Sequence, residues 1–143
     1  MDDTLLYQLK DDLQQLFDES TEFNDVTVKI AYGSDDVSYP CVIIREIENT
    51  DNTRFYDMQE HVVDVTYQFN ILSEGIGFDD ATERVLDIMN YIKQYMRGRK
   101  YTSLQRIGNV PIQTHPNDTN IKIGYMRYQG CINIDTNTIY RRK

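Results

Sequence analysis

The sequence predicts an α+β domain in which a mostly antiparallel mixed sheet carries two main helices on one face. Apolar side chains occupy alternate positions from Val63 to Ile71, which is the pattern of a strand with one buried face. From Ala81 to Met96 apolar residues recur at helical spacings, and Gly98 follows as a stop signal. This strand and helix bury little surface by themselves, so we expect the remaining elements to complete one core.

The N-terminal segment predicts a first helix over residues 4–19. Its apolar residues form one stripe: Leu5, Leu6, Leu9, Leu13, Leu16 and Phe17. Alternation from Val26 to Ile30 predicts a first strand, and Tyr39 to Ile47 predicts a second. Because Pro40 has no backbone N–H, we expect it at a strand start or at a sheet edge. Residues 48–60 form a long polar connection, whose aromatic residues either fold back on the core or contact a partner.

The C-terminal third predicts short strands around one longer strand. Residues 99–109 are basic and irregular, and residues 110–114 predict a short strand. Alternation then runs from Ile121 and changes phase at Met126, for which a β-bulge is the expected cause. A last short strand is predicted at Ile139 and Tyr140.

The length of 143 residues fits a single domain covering residues 1–143. The longest aliphatic run, residues 42–44, is far shorter than the roughly 20 residues that a membrane span needs. The acidic N-terminus lacks the features of a signal peptide, so we expect a protein made and kept in a cytosol, or assembled there into something larger. Cys41 and Cys131 lie in apolar strand-like segments, where buried thiols are expected.

The net charge of −8 is unevenly distributed along the chain. Residues 1–92 hold 21 acidic and 5 basic side chains, whereas residues 93–143 hold 2 acidic and 10 basic ones. Two interpretations remain open at this stage. Either the folded chain intermixes the two sets, or it forms a dipolar subunit whose acidic face meets a neighbour's basic face, as in a head-to-tail ring.

No catalytic, cofactor-binding or metal-binding motif is found, so the sequence predicts a protein that is not an enzyme. Gly75 and Gly77 lack the third glycine of a dinucleotide-binding loop, and no phosphate-binding loop or nucleophile elbow is present. His61 and His115 have no further ligands at metal-binding spacing.

A basic group near the end of the second helix has two interpretations. Arg97, Arg99 and Lys100, with Tyr95 and Tyr101, could contact phosphates and stack on bases, or they could form ordinary surface. The overall charge of −8 argues against sequence-independent DNA binding, because the acidic bulk repels the DNA backbone.

Three stretches resemble the tail-terminator, or tail-completion, proteins of long-tailed phages. They are residues 39–44 (Tyr-Pro-Cys-Val-Ile-Ile), the strand and helix at 62–97, and the segment from 117 to 142. The resemblance covers nearly the whole chain as a pattern of elements and contains no catalytic signature. It implies a homo-hexameric ring in the virion, at the head-proximal end of the tail, assembled in the host cytoplasm.

Such a ring caps the tail-tube protein, ends its polymerisation and offers an interface to a head-tail connector or stopper protein. DNA only passes through its lumen, and no cofactor or membrane is implied. Seven residues are predicted to make intersubunit or tube contacts: Arg54, Phe55, Tyr56, Met58, Arg141, Arg142 and Lys143. The alternatives are another neck or minor tail component, such as a head-tail connector or tube-like protein, or, from a different class, a small enzyme or adaptor.

Overall fold

A computed structural model describes residues 4–30, 39–51, 62–75, 80–97, 104–108, 110–115, 118–133 and 138–140. The described elements in chain order are α1 (Thr4–Asp18), β1 (Thr27–Ile30), β2 (Cys41–Asp51), β3 (Val62–Glu74), α2 (Asp80–Met96), β4 (Gln105–Ile107), β5 (Gln113–His115), β6 (Asp118–Asn133) and β7 (Thr138–Tyr140). Both helices and the central strand therefore lie close to where the apolar periodicity predicts them.

The strands form one seven-stranded sheet in the order β1-β2-β3-β6-β4. Only the pairing of β1 with β2 is parallel; β2 with β3 and β3 with β6 pair antiparallel. The short strands β5, β4 and β7 all pair with β6, on the edge that faces away from β3. The predicted mostly antiparallel mixed sheet is confirmed.

Both helices pack on the same face of this sheet, as predicted. α1 lies over β1 and β2, and α2 lies over β3 and β6. The main core joins the apolar stripes of both helices to alternate residues of the central strands: Leu5, Leu9, Leu13, Phe17, Val42, Ile44, Val65, Tyr67, Phe69, Ile71, Val85, Ile88, Ile92, Met126 and Tyr128. Removal of this apolar surface from water is the main stabilising term of the fold.

The prediction of a β-bulge at Met126 is wrong. β3 and β6 pair without a register shift from Val62↔Asn133 to Glu74↔Ile121. The phase of the apolar pattern changes because β6 is apolar on different faces along its length. Ile121 and Ile123 join a small second cluster with Cys41 and Leu72, whereas Met126 and Tyr128 face the main core.

Three strand boundaries differ from the sequence prediction. β2 continues through residues 48–51, and a register shift between Glu46 and Glu48 marks an irregularity within it. Gln105–Ile107 forms a strand inside a segment predicted to be irregular, because its backbone pairs with Gln129–Arg127 of β6. β5 covers 113–115 instead of 110–114.

The outer edge of β1 is closed by a side chain of α1. Gln14 Nε2 donates a hydrogen bond to the Val26 carbonyl oxygen (3.1 Å), and the Val28 N–H donates to Gln14 Oε1 (2.8 Å). The amide of Gln14 therefore satisfies backbone groups that a further strand would otherwise pair with. This arrangement fixes α1 beside the β1 edge of the sheet.

The two helices run antiparallel, and aromatic rings fill the space between them. Phe17 and Phe23 lie 5.8 and 4.7 Å from the Tyr91 ring, measured between centroids. Arg84 donates to Asp25 Oδ1 (2.6 Å) and stands 5.1 Å from the Phe23 ring centroid. The side of α2 that carries Arg84 and Tyr91 thus faces α1.

Candidate functional site

The seven predicted contact residues lie outside the described residues. Arg54, Phe55, Tyr56 and Met58 belong to residues 52–61 and Arg141, Arg142 and Lys143 to residues 141–143, neither of which is described. The described elements do locate where these segments attach. The pairings Asp51↔Val63, Val62↔Asn133 and Asn133↔Thr138 place the end of β2 at the same end of the sheet as the start of β7. Tyr140, the last residue of β7, pairs with Cys131, two residues before Asn133.

A basic cluster lies at the C-terminal end of α2, and we define it as Lys93, Arg97 and Arg106. Arg106 pairs with Tyr128 of β6 on the helix-bearing face, which brings it next to the last turn of α2. Burial, followed by repulsion from Arg106 and Arg97, lowers the pKa of Lys93. Burial raises the pKa of Tyr128, and the same two arginines partly oppose that rise. Three cations therefore act on one another across the α2–β4 junction.

The basic cluster differs from the group predicted from the sequence. Arg97 belongs to it, but Arg99, Lys100 and Tyr101 lie outside the described residues. Burial and the nearby Asp12 carboxylate of α1 raise the pKa of Tyr95, which places this ring on the α1 side of α2. Lys93 is about two and a half turns from Arg84 at 3.6 residues per turn, so it projects from the opposite side of the helix.

The cations of α2 in this cluster are not neutralised by described neighbours. Within the described ranges, neither Lys93 nor Arg97 forms an ion pair with a carboxylate. By contrast, Arg84 on the other side of α2 is paired with Asp25 at 2.6 Å. Among the described residues, the Lys93–Arg97 turn of α2 consequently carries positive charge that no carboxylate pairs with.

Exposed acidic side chains lie on α1 and in the turn that follows it, and we define the acidic stripe as Asp11, Asp18, Glu19 and Glu22. All four side chains are exposed, and Tyr7, one turn before Asp11, is 55% exposed. The helical repeat produces this separation, because the apolar stripe of α1 turns to the sheet and leaves the polar positions outside. Lys10 Nζ lies 3.8 Å from Asp11 Oδ1.

The acidic stripe and the basic cluster occupy opposite flanks of the domain. α1 covers the β1 and β2 side of the sheet, whereas the basic cluster lies at the β4 side, beyond β3 and β6. The sheet order thus places these two charged groups on different sides of the domain. They follow the dipolar interpretation, whereas Glu83 and Asp87, exposed on α2, and Arg45, exposed on β2, follow the intermixed one.

The sheet face without helices carries polar side chains that bond to one another. Glu48 accepts hydrogen bonds from Thr66 (3.3 Å) and Gln129 (3.4 Å), and Arg127 Nε donates to Gln68 Oε1 (2.8 Å). These contacts satisfy the buried Thr66 and Gln68, which is a structural role.

The cysteines and the remaining possible ligands form no further site in the described ranges. Cys41 and Cys131 are free thiols, the first buried and the second half-buried. Cys131 Sγ lies 2.9 Å from Asp64 Oδ1. The described residues contain no group of three or more His, Cys, Asp or Glu side chains that could hold a metal ion. His61 lies outside the described residues.

Comparison with models of known protein families and with curated proteins finds no match to this chain. Neither helix that the structure describes has the length and apolar character needed to cross a bilayer. The charged flanks are therefore the feature from which a function is best argued.

Proposed function

We propose that this protein is a structural virion subunit that closes into a ring at the head-proximal end of a phage tail. The ring caps the tail tube, ends its polymerisation and provides the interface to the head-tail connector. The observation that carries this proposal is the placement of the acidic stripe and the basic cluster on opposite flanks of one subunit. The resemblance of the element pattern to tail-terminator proteins supplies the position in the virion.

Opposite charges on opposite flanks favour heterologous association over a two-fold dimer. A two-fold contact centred on the acidic stripe would set it against another acidic stripe, and one centred on the basic cluster would set cations against cations. In a head-to-tail arrangement each acidic stripe meets a basic cluster, and the last copy meets the first if the rotation closes. A closed ring is the assembly that leaves no charged flank unmatched.

The excess of acid suits a ring through which DNA passes. With a net charge of −8 per subunit, a ring that uses its basic clusters for subunit contacts presents mostly acidic side chains elsewhere. Such a surface repels phosphates and lets DNA move without binding.

The test is the mass of the purified chain in solution, by light scattering across concentrations and salt. We expect a closed oligomer that gains mass with concentration and loses mass between 0.1 and 1 M salt, as the Debye length falls from about 10 to about 3 Å. Electron microscopy of tail-tube protein polymerised with the chain should show shorter tubes with added density at one end. A monomer under all conditions, with tubes of unchanged length, would overturn the proposal.

A further inference from the structure

One turn of α1 and one turn of α2 carry matched pairs of side chains, of which Lys93 is half-buried and the other three are exposed. Tyr7 and Asp11 are four residues apart on the outer side of α1. Lys93 and Arg97 are four residues apart on the side of α2 that faces away from α1. Residues at this spacing are neighbours on a helix, about 6 Å apart along the axis. Each pair therefore presents two contact points at the same separation.

From this match we infer a specific contact between copies: the Tyr7–Asp11 turn of α1 docks antiparallel on the Lys93–Arg97 turn of α2 in the neighbouring copy. The inference rests on the head-to-tail ring proposed above and names the residues that join its subunits. Asp11 then meets Lys93, and the Tyr7 ring lies against the Arg97 guanidinium. A guanidinium over an aromatic face is a favourable cation–π contact.

The antiparallel direction follows from the arrangement of helices within one copy. α1 and α2 run in opposite directions, as shown by the contacts of Phe17 with Tyr91 and of Asp25 with Arg84. When copies repeat side by side with the same helix direction, α1 of the next copy again runs antiparallel to α2. A parallel contact would instead join Tyr7 to Lys93 and Asp11 to Arg97.

Each of these two helix sides also carries an exposed apolar side chain, one within the contact and one two turns away from it. Tyr7 and Leu86 are exposed large apolar side chains, at 55% and 46% exposure. Leu86 is seven residues before Lys93, so it lies on the same side of α2. Exposed ion pairs contribute only about 0 to 1 kcal/mol each, so adjacent apolar burial is needed to hold such a contact.

A second copy fits the basic cluster better than nucleic acid does. The Tyr7–Asp11 turn supplies a carboxylate and an aromatic ring at the spacing of the two cations, whereas a phosphate backbone would approach a subunit of net charge −8. Binding of an oligonucleotide in place of a second copy is therefore an outcome that the experiment must detect.

The first experiment exchanges the charges of the pair. Asp11→Lys and Lys93→Asp should each weaken self-association by about fivefold to tenfold, and the double variant should recover most of it. Lys93→Gln and Gln94→Glu form a matched control, because each lowers the net charge by one and only the first removes a contact residue. Far-UV circular dichroism verifies that each variant is folded.

The second experiment fixes the register by disulfide formation, in a Cys131→Ser background that removes the half-exposed thiol. On oxidation, Tyr7→Cys combined with Arg97→Cys should give a ladder of covalent multimers that ends at the ring. Tyr7→Cys combined with Lys93→Cys should give a ladder only if the helices dock in parallel. Disulfides need Cα atoms within about 7 Å, so the two pairs discriminate between the directions.

The outcomes separate this inference from the proposed ring. If the unmodified chain assembles but the charge variants and the Tyr7–Arg97 disulfide have no effect, the ring stands and this contact is wrong. If Lys93→Gln abolishes binding of a 20-nucleotide single strand and leaves self-association unchanged, the basic cluster binds nucleic acid and the contact is overturned. A chain that stays monomeric and leaves the tail tubes at unchanged length overturns the ring and the contact together.

Discussion

Gly124 of β6 lies so close to Met89 of α2 that a Cβ atom at this position would force side chains of the helix to shift. A Cβ atom at position 124 would stand 2.5 Å from Met89 Sδ and 2.7 Å from Val85 Cγ1. Both helix residues are buried, so neither can move into solvent. The missing side chain of Gly124 therefore sets the distance between α2 and the sheet, and with it the position of the basic cluster.

Gly124→Ala should lower the free energy of unfolding by about 1–2 kcal/mol, the range expected for an overpacked core. Urea denaturation at neutral pH measures the change. In a Val85→Ala background the same substitution should cost less, because the methyl group gains room. Equal costs in the two backgrounds would contradict this explanation.

Gly108 provides a contrast to Gly124. Its φ is +71°, and a Cβ there would meet nothing within 4 Å. Gly108→Ala should cost roughly 1 kcal/mol through backbone conformation alone. We expect Val85→Ala to leave that cost unchanged, and Gly108→Asn to be milder than Gly108→Ala because asparagine tolerates positive φ.

Arg84→Ala should destabilise the fold more than Asp25→Asn. Arg84 donates to Asp25 and to the Glu22 carbonyl oxygen (3.1 Å), and it also stacks on Phe23. Arg84→Ala removes all three contacts and should lower the free energy of unfolding by about 1–2 kcal/mol. Asp25→Asn weakens one half-exposed ion pair and should lower it by less than about 1 kcal/mol. Urea denaturation of both variants gives the order, and a larger cost for Asp25→Asn would refute it.

Gln14→Ala should cost about 1–3 kcal/mol, because it leaves the Val28 N–H and the Val26 carbonyl without their partner. Amide hydrogen exchange provides the specific readout: protection of the Val28 amide should fall more than that of the β3 amides. The neighbouring Gln15 is the matched control. Among the described residues its amide bonds to the exposed Glu19 (3.1 Å), so Gln15→Ala should change stability by less than about 0.5 kcal/mol. Unchanged Val28 protection in Gln14→Ala would argue against this function of Gln14.

Cys41 should make the fold sensitive to alkaline pH. Burial raises the pKa of its thiol from the ordinary value of 9.0 to about 11, and Lys29 partly opposes the rise. The thiol has a higher pKa in the folded chain than in the unfolded one, so the unfolded chain loses its proton first as pH rises. The free energy of unfolding therefore keeps its full value below pH 9 and falls by about 2–3 kcal/mol as pH rises toward 11. Urea denaturation between pH 7 and 11 should show a shallower decline for Cys41→Ala than for the unmodified chain. Cys131→Ser should keep the full decline, and parallel curves for the unmodified chain and Cys41→Ala would contradict the assignment.

The elements of the fold were largely predictable, because their signal is local. The apolar stripe of residues 4–19 and the alternation from Val63 to Ile71 each depend on spacing within one segment, and both elements form there. The short strand Gln105–Ile107 was not predictable in this way. It has no apolar alternation of its own and is a strand only because its backbone pairs with β6.

The candidate site was only partly predictable. The uneven charge along the chain is visible in the sequence, and Arg97 belonged to the predicted basic group. The sequence did not indicate Arg106, because this residue comes near Lys93 only through the pairing of β4 with β6. Tyr95 was placed in the group by proximity in sequence, although the helical repeat turns it to the α1 side.

By itself the sequence determined where the two helices and the central strand lie, which face of each is apolar, and that acidic and basic residues are concentrated in different parts of the chain. Only the tertiary structure decided that these charges lie on opposite flanks, that Gly124 sets the distance of α2 from the sheet, and that Gln14 closes the edge of β1. The physical reason is the distance along the chain over which each signal acts. Periodicity acts over a few residues, whereas strand order and register result from contacts between residues far apart in the chain.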